Sequence, residues 1–393
     1  MASGSFFVKD FVKSNAPETI DDLKRMIQHG NTSFLEKLQY YSHKSHGSDA
    51  YWRRQRYEVE SWINYHVQNG NGPPTIFLTL SCAEYYWPDL IRLLEERIRM
   101  ESNDGSCPNL RENKTALHKA VNNYSVVVQE YFHKRVQIWL NTIGKKIFGI
   151  KHYWYRHEFA KGRGQIHSHM LCILDNQHVM SEAYRNIDNK QKRTKVLADY
   201  MRSTFDLSAN HPGVDNNGNI DLTQVGHPEG LAKEPKYKDQ ATGKYLWEVD
   251  NHDKDICQLV NSCMMHECNK FCLRKMKKKN AYYCRMNGGE LNTETNQTPG
   301  FQLQDIDTLT VDSNGIKRLA LQRNSKRMNQ SSFTALRSWR ANCDVQLIIY
   351  DSDPEYPNLD EIAKISDYVV SYTCKGNLRK QTEKGMMKEI VHK

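Results

Sequence analysis

Apolar residues recur along this chain at two periods, and the switches between them mark its elements. Ile20, Leu23, Met26 and Ile27 are helix-spaced, as are Phe34, Leu35 and Leu38, so residues 6–70 read as mostly helical. The run Asn69-Gly-Asn-Gly-Pro-Pro74 breaks that pattern and marks a boundary. Residues 75–81 are apolar and β-branched, as in a buried strand. A helix over 87–100 is entered through Pro88. Val128, Phe132, Val136, Trp139, Leu140 and Ile143 form one face of a second helix. Residues 151–159 and 165–174 read as strands joined by the turn Lys161-Gly-Arg-Gly164, a β-hairpin. A further helix is expected around 181–204. Residues 291–330 are low in apolar content and are expected to be partly extended. A strand over 345–350 follows, and Asn358-x-x-Glu361 has the form of a capping box opening a helix with Ile362, Ile365 and Val369 inward. The expected organisation is a helical region over 6–72 and one larger domain over 73–393, with a cysteine-rich insert at 252–290.

Composition narrows the partners. The 393 residues carry a formal charge of +9, and aromatics make up 10%. Cations for phosphates and rings for bases suit single-stranded nucleic acid. No run of eighteen apolar residues is present, so no membrane span is expected. No phosphate-binding Gly-x-x-x-x-Gly-Lys-Ser/Thr loop is present either. Of ten cysteines, five lie between Cys257 and Cys284. That clustering favours metal binding in a reducing compartment over a disulfide framework.

The most informative pair is His167 and His169. Spaced i, i+2 on a strand, two imidazoles share one face of a sheet. If Gly162 and Arg163 are the two turn residues, Glu158 opposes His167 and Arg156 opposes His169. Two imidazoles and a carboxylate suit a catalytic divalent metal, with Mg²⁺ or Mn²⁺ the functional choice. A turn one residue longer would put Glu158 on the other face.

Two further groups stand out. Tyr368 and Tyr372 lie i, i+4, on one face of the expected helix, with Lys375 one turn on to lower a phenol's pKa. Metal on a sheet and tyrosines on a helix are the equipment for cutting DNA through a phosphotyrosine. His266, Cys268, Cys272 and Cys284 supply four ligands for a closed structural Zn²⁺ site, with Cys257 and Cys263 as alternative ligands. Between the ligands runs Arg274-Lys-Met-Lys-Lys-Lys279, in which Lys277 and Lys278 are candidate phosphate contacts. A nuclear address and a solvated loop are equal readings of that run. Lys161 and Arg163 in the hairpin turn are the other candidate phosphate contacts, together with Arg156.

Several of these motifs together resemble one family. Ile76-Phe-Leu-Thr-Leu-Ser-Cys-Ala-Glu84 with Trp87-Pro-Asp-Leu90 looks like the first replication-initiator motif of Helitron transposases. Glu158-Phe159, Arg163-Gly164 and His167-Ser-His169 resemble their metal motif. Trp339-Arg-Ala-Asn-Cys-Asp344 and Asp367-Tyr368-Val-Val-Ser-Tyr372-Thr-Cys-Lys375-Gly376 look like their two-tyrosine motif. The resemblance spans residues 50–380 and implies a rolling-circle nuclease of the HUH type, α+β, with a central antiparallel sheet flanked by helices and an inserted zinc knuckle. It implies nicking and rejoining of single-stranded DNA at transposon ends and target DNA, in the nucleus, with a helicase domain in the full-length protein. Ser168 departs from the family, which usually places a hydrophobic residue between the two histidines. Ala160 stands where a glutamine is common. A plasmid- or virus-type replication initiator and a non-catalytic, zinc-containing DNA-binding transposon remnant are the rival readings.

Overall fold

The computed structural model describes residues 49–159, 165–177, 180–181, 189–214, 237–238, 245–246, 252–266, 272–275, 281–284, 291–292, 300–311, 316–353, 358 and 360–363. The backbone divides into two units, residues 1–66 with 363–393, and residues 67–362. In the first, the described backbone is residue 363 and helix α1, Asp49–Gln68, which runs two residues past the boundary. All the geometry below lies within the second.

That unit is α+β. Strand β1 is Ile76–Ser81, and helices α2 (Pro88–Glu101), α3 (Lys114–Asn123) and α4 (Ser125–Trp139) follow it. Strands β2 (Ile150–Phe159) and β3 (Ile166–Leu174) form the long hairpin, and α5 (Lys190–Phe205) leads to the short strand β4 (Leu207–Ser208). Two-residue strands β5 (Tyr237–Lys238) and β6 (Tyr245–Leu246) pair with each other. Helix α6 (His252–Leu259) continues as a π-helical turn, Val260–Met264, before the hairpin β7 (Leu273–Lys275) and β8 (Tyr282–Cys284). A second hairpin, β9 (Thr308–Val311) and β10 (Lys317–Ala320), precedes β11 (Ser331–Ser332), helix α7 (Phe333–Trp339) and strand β12 (Cys343–Leu347).

The central sheet has four antiparallel strands in the order β12-β1-β3-β2. Strand β1 is enclosed on both sides, which is why it reads as a nearly continuous apolar run. Period-2 alternation sorts the side chains into two faces. One carries Leu78, Leu80, Met170, Cys172 and Val345, all fully buried. Helix α4 covers this face. The Phe132 ring meets His157 edge-on, and His133 Nδ1 lies 3.0 Å from His157 Nε2. Burial, reinforced by the charge of His133, pushes the His157 pKa down to about 4, so an uncharged imidazole sits there at neutral pH.

The structure adds to the expectations from the sequence and in places corrects them. Residues 114–123, given no element from the sequence, form a helix, and the Asn113 side chain accepts the Ala116 N–H and caps it. The partly extended reading of 291–330 agrees with the paired strands Thr308–Val311 and Lys317–Ala320, with Leu319 and Leu321 buried. Strand β12 begins at Cys343 rather than 345, since Cys343 and Asp344 still pair with β1. The capping box at Asn358 is half made. Asn358 Oδ1 accepts from Asp360 N at 2.9 Å, but the Glu361 carboxylate turns to Ser352 N and Oγ, and Asn358 N donates to Ser352 Oγ.

Ser168 lies on the helix-covered face, opposite His157 and fully buried, and its hydroxyl has no hydrogen-bond partner among the described residues. An unpaired buried hydroxyl carries a desolvation cost with nothing to offset it. Ser168→Ala is therefore expected to stabilise the protein by about 1 kcal/mol in a urea titration. A loss of stability would mean that the hydroxyl has a partner.

Candidate functional site

The opposite face of the sheet is polar where the covered face is apolar. In register across four strands lie Arg156, His169, Thr79 and Asp344. The next row holds Glu158, His167 and Ser81, with Asn342 continuing it through the Ser81 N–H to Asn342 carbonyl bond of 3.0 Å. Glu158 opposes His167 and Arg156 opposes His169, the register expected from the sequence. Residues 160–164, with Lys161 and Arg163, lie outside the described residues.

The two imidazoles are held from behind. His167 Nδ1 is 2.8 Å from Ser81 Oγ, and His169 Nδ1 is 3.0 Å from Thr79 Oγ1. His169 also stacks on Phe77, with ring centroids 5.6 Å apart and planes 13° apart. The His167 and His169 rings are 6.4 Å apart and nearly parallel, at 28°. His169 Nε2 lies 3.1 Å from Glu158 Oε2. Burial pushes the Glu158 carboxyl up, but the His169 hydrogen bond, with the charges of His169, Arg156 and His167, outweighs it and holds the group below the ordinary glutamate value. Glu158 is thus an ionised acceptor beside two imidazoles whose Nδ1 atoms face hydroxyls, and the Nε2 of His169 faces the carboxylate itself. In kind these donors suit a six-coordinate divalent cation retaining water or phosphate sites, but their ligand atoms do not all lie within 4.8 Å of one another, a spacing met among the described residues by His266, Cys272 and Cys284. Asp344, on the same face, is pushed the other way by burial, against a hydrogen bond from Gln346 and the charges of Arg318 and His169.

Sequence reasoning assigned no role to Ser81 and Thr79, yet both hydroxyls touch the candidate ligands. Their i, i+2 spacing matches that of the histidines and was the available signal. Ser81 is itself clamped. Its carbonyl accepts from Trp339 Nε1 at 2.8 Å, and its Oγ lies 3.3 Å from Asn342 Oδ1. Trp339 packs edge-on to Trp87 and Phe132. The Arg135 guanidinium lies 4.3 Å from the Trp87 ring and 5.4 Å from the Trp339 ring. Arg340 adopts a left-handed backbone, φ 63°, ending α7, and its guanidinium pairs with Asp255 at 2.6 and 2.9 Å. The Trp339-Arg-Ala-Asn342 run is thus a bracket around Ser81.

A second cluster lies in the cysteine-rich insert. The ligand atoms of His266, Cys272 and Cys284 lie within 4.8 Å of one another, with both cysteines buried. His266 Nε2 is 3.1 Å from Cys284 Sγ. Leu273 pairs with Cys284 in the β7–β8 hairpin, so strand pairing brings Cys272 beside Cys284. Cys257 lies instead beside Asn261, whose Nδ2 is 3.8 Å from its sulfur. Cys268, Lys277 and Lys278 fall outside the described residues, as do Tyr368, Tyr372 and Lys375.

Residues 5–172 match the family model of the Helitron helicase-like domain at N-terminus. Those residues are Helitron-related. The Helitron match takes in Thr79, Ser81, Glu158, His167 and His169, and ends inside β3, before the cysteine cluster and the Trp339 bracket. No curated protein and no solved structure matches the chain. Among the described residues, no helix is long and apolar enough to cross a membrane.

The bracket around Ser81 has a measurable energy. Trp339→Phe keeps an aromatic ring in the core and deletes the indole N–H that Ser81 accepts. It is expected to lower stability by about 1–2 kcal/mol in a denaturant titration. An unchanged midpoint would show that the hydrogen bond contributes nothing.

Proposed function

We propose that this chain is a metal-dependent, single-stranded DNA endonuclease and strand transferase of a rolling-circle transposon, with HUH-type chemistry. The observation that carries the proposal is the polar row Glu158–His167–Ser81, with His169 and Thr79 beside it, on the face of the sheet opposite the apolar core. In this reading His167 and His169 hold a Mg²⁺ or Mn²⁺ ion through Nε2, and Glu158 is its carboxylate ligand. A divalent ion there supplies positive charge to the scissile phosphate. Arg156, beside His169, is suited to a phosphate oxygen, and Lys161, Arg163, Lys277 and Lys278 to the flanking strand.

The nucleophile in this reading is Tyr368 or Tyr372. The phenol gives up its proton and its oxygen attacks phosphorus. A tyrosine–phosphorus ester forms at the 5′ end, the bond to the 3′ oxygen breaks, and that oxygen takes a proton to become a 3′ hydroxyl. One phosphoester replaces another, so rejoining needs no external energy source. With two tyrosines, one holds the 5′ phosphate while the other serves the second strand end. Lys375 stabilises a phenolate. His266, Cys268, Cys272 and Cys284 hold a structural Zn²⁺, since four protein ligands leave no place for substrate. The partners are the transposon ends and target DNA as single strands, with a helicase domain elsewhere in the full protein, and the site of action is the nucleus. The Helitron match weighs against a plasmid or viral initiator.

Incubation with a single-stranded oligonucleotide and Mn²⁺ is expected to give a covalent protein–DNA adduct on a denaturing gel. His167→Ala and the double variant Tyr368→Phe/Tyr372→Phe should form none. An adduct from the double variant would place the nucleophile elsewhere, and an adduct from His167→Ala at the wild-type rate would sink the metal assignment. Elemental analysis of protein purified without chelator should find about one zinc per chain. Cys272→Ser should lose that zinc and much of its thermal stability. A zinc-free wild type would refute the knuckle.

A further inference from the structure

We infer that Ser81 and Asn342 are positioning residues that fix the protonation of His167 for metal binding, an inference resting on the metal reading of the strand site. The relay starts at a backbone carbonyl. Asn342 Nδ2 lies 2.8 Å from the carbonyl oxygen of Cys263. A carbonyl only accepts, so the amide NH₂ of Asn342 must face it, and the flip of that amide is settled. Asn342 Oδ1 therefore faces Ser81 Oγ, at 3.3 Å. An amide oxygen also only accepts, so the Ser81 hydroxyl donates to it. Having spent its single proton there, Ser81 Oγ can only accept from His167 Nδ1, 2.8 Å away. His167 then carries a proton on Nδ1, and in the neutral imidazole Nε2 is the unprotonated nitrogen. The backbone carbonyl of Cys263 thus dictates, three hydrogen-bond partners away, which imidazole nitrogen is the ligand.

His169 is set differently. Its Nε2 lies 3.1 Å from the Glu158 carboxylate, which only accepts, so before a metal arrives its proton sits on Nε2. Its Nδ1 partner, Thr79 Oγ1, can act as donor or acceptor. One imidazole is therefore prepared for metal in advance, and the other must exchange a proton position when metal arrives. Ser81 is buried and clamped by Trp339 and Asn342, so the relay is rigid at the His167 end. The Cys263 carbonyl belongs to the π-helical turn three residues before His266, so the relay also joins the strand site to the segment that leads into the cysteine cluster.

The test reads protonation and metal affinity separately. Long-range ¹⁵N–¹H correlation spectra of the metal-free protein should show His167 protonated on Nδ1. Ser81→Ala should lose that preference, and it should weaken Mn²⁺ binding, measured by calorimetry, about tenfold, as deleting a hydrogen-bond partner of a ligating histidine does. Ser81→Thr keeps the hydroxyl and should restore both. Asn342 is exposed, so Asn342→Ala is expected to fold, and it should weaken Mn²⁺ binding in the same direction with an unchanged melting temperature. His167 protonated on Nε2 in the wild type would overturn the relay. So would wild-type Mn²⁺ affinity in both Ser81→Ala and Asn342→Ala. A wild type that binds no Mn²⁺ while His167 is protonated on Nδ1 would instead overturn the metal reading itself, and the relay's function with it.

Discussion

Strand register is the constraint on which the rest of this site depends. Side chains alternate faces with a period of two, so a slip of one residue between β2 and β3 would carry Glu158 and Arg156 to the helix-covered face. The observed pairing of Glu158 with His167, and of Ser81 with His167 across the other edge of β3, puts acceptor, imidazole and hydroxyl in one line. The same alternation turns Leu78, Leu80, Met170 and Val345 into the core beneath α4. Core and site are thus two readings of one register, and the apolar face enforces the polar one. Burying those side chains contributes roughly 1.5–3 kcal/mol each, far more than any single polar contact in the site.

The second constraint is long-range. Nothing local to β1 would hold the Ser81 hydroxyl in place. Residues more than 250 positions later do so, through Trp339 and Asn342. Arg135, lying against both Trp87 and Trp339, ties that bracket to helix α4. Arg340 accepts a left-handed backbone to turn the chain from α7 into β12, and its ion pair with Asp255 anchors the turn. The chain order of these motifs therefore reflects spatial assembly around one serine and one histidine.

Much of this was legible in the sequence for identifiable reasons. The β2–β3 hairpin could be read because alternation and a Gly-Arg turn agree, and the pairing of Glu158 with His167 followed by counting. Helix α4 could be read because its inward residues keep helical spacing over four turns. Helix α7 could not, since seven residues are too short for a period to declare itself. The β9–β10 hairpin was hidden because its strands bury few side chains, so no alternation marks it. The hydroxyls behind the histidines were missed for a deeper reason. A serine's role depends on what lies across the strand pair, and β1–β3 pairing joins positions more than 80 residues apart. The cysteine cluster was partly legible. His266, Cys272 and Cys284 come together, and Leu273 opposite Cys284 supplies the cause, while among the described residues Cys257 and Cys263 stand outside that group.

In the proposed reading, two imidazoles on adjacent same-face positions of β3 bind one divalent ion through Nε2, with β1 hydroxyls at their backs. Anomalous diffraction from crystals soaked in Mn²⁺ tests it most directly. A peak is expected about 2.2 Å from the Nε2 atoms of both His167 and His169, within reach of the Glu158 carboxylate, with both Nδ1 atoms still bonded to Ser81 and Thr79. Coordination through Nδ1, or a peak that touches neither histidine, would contradict it.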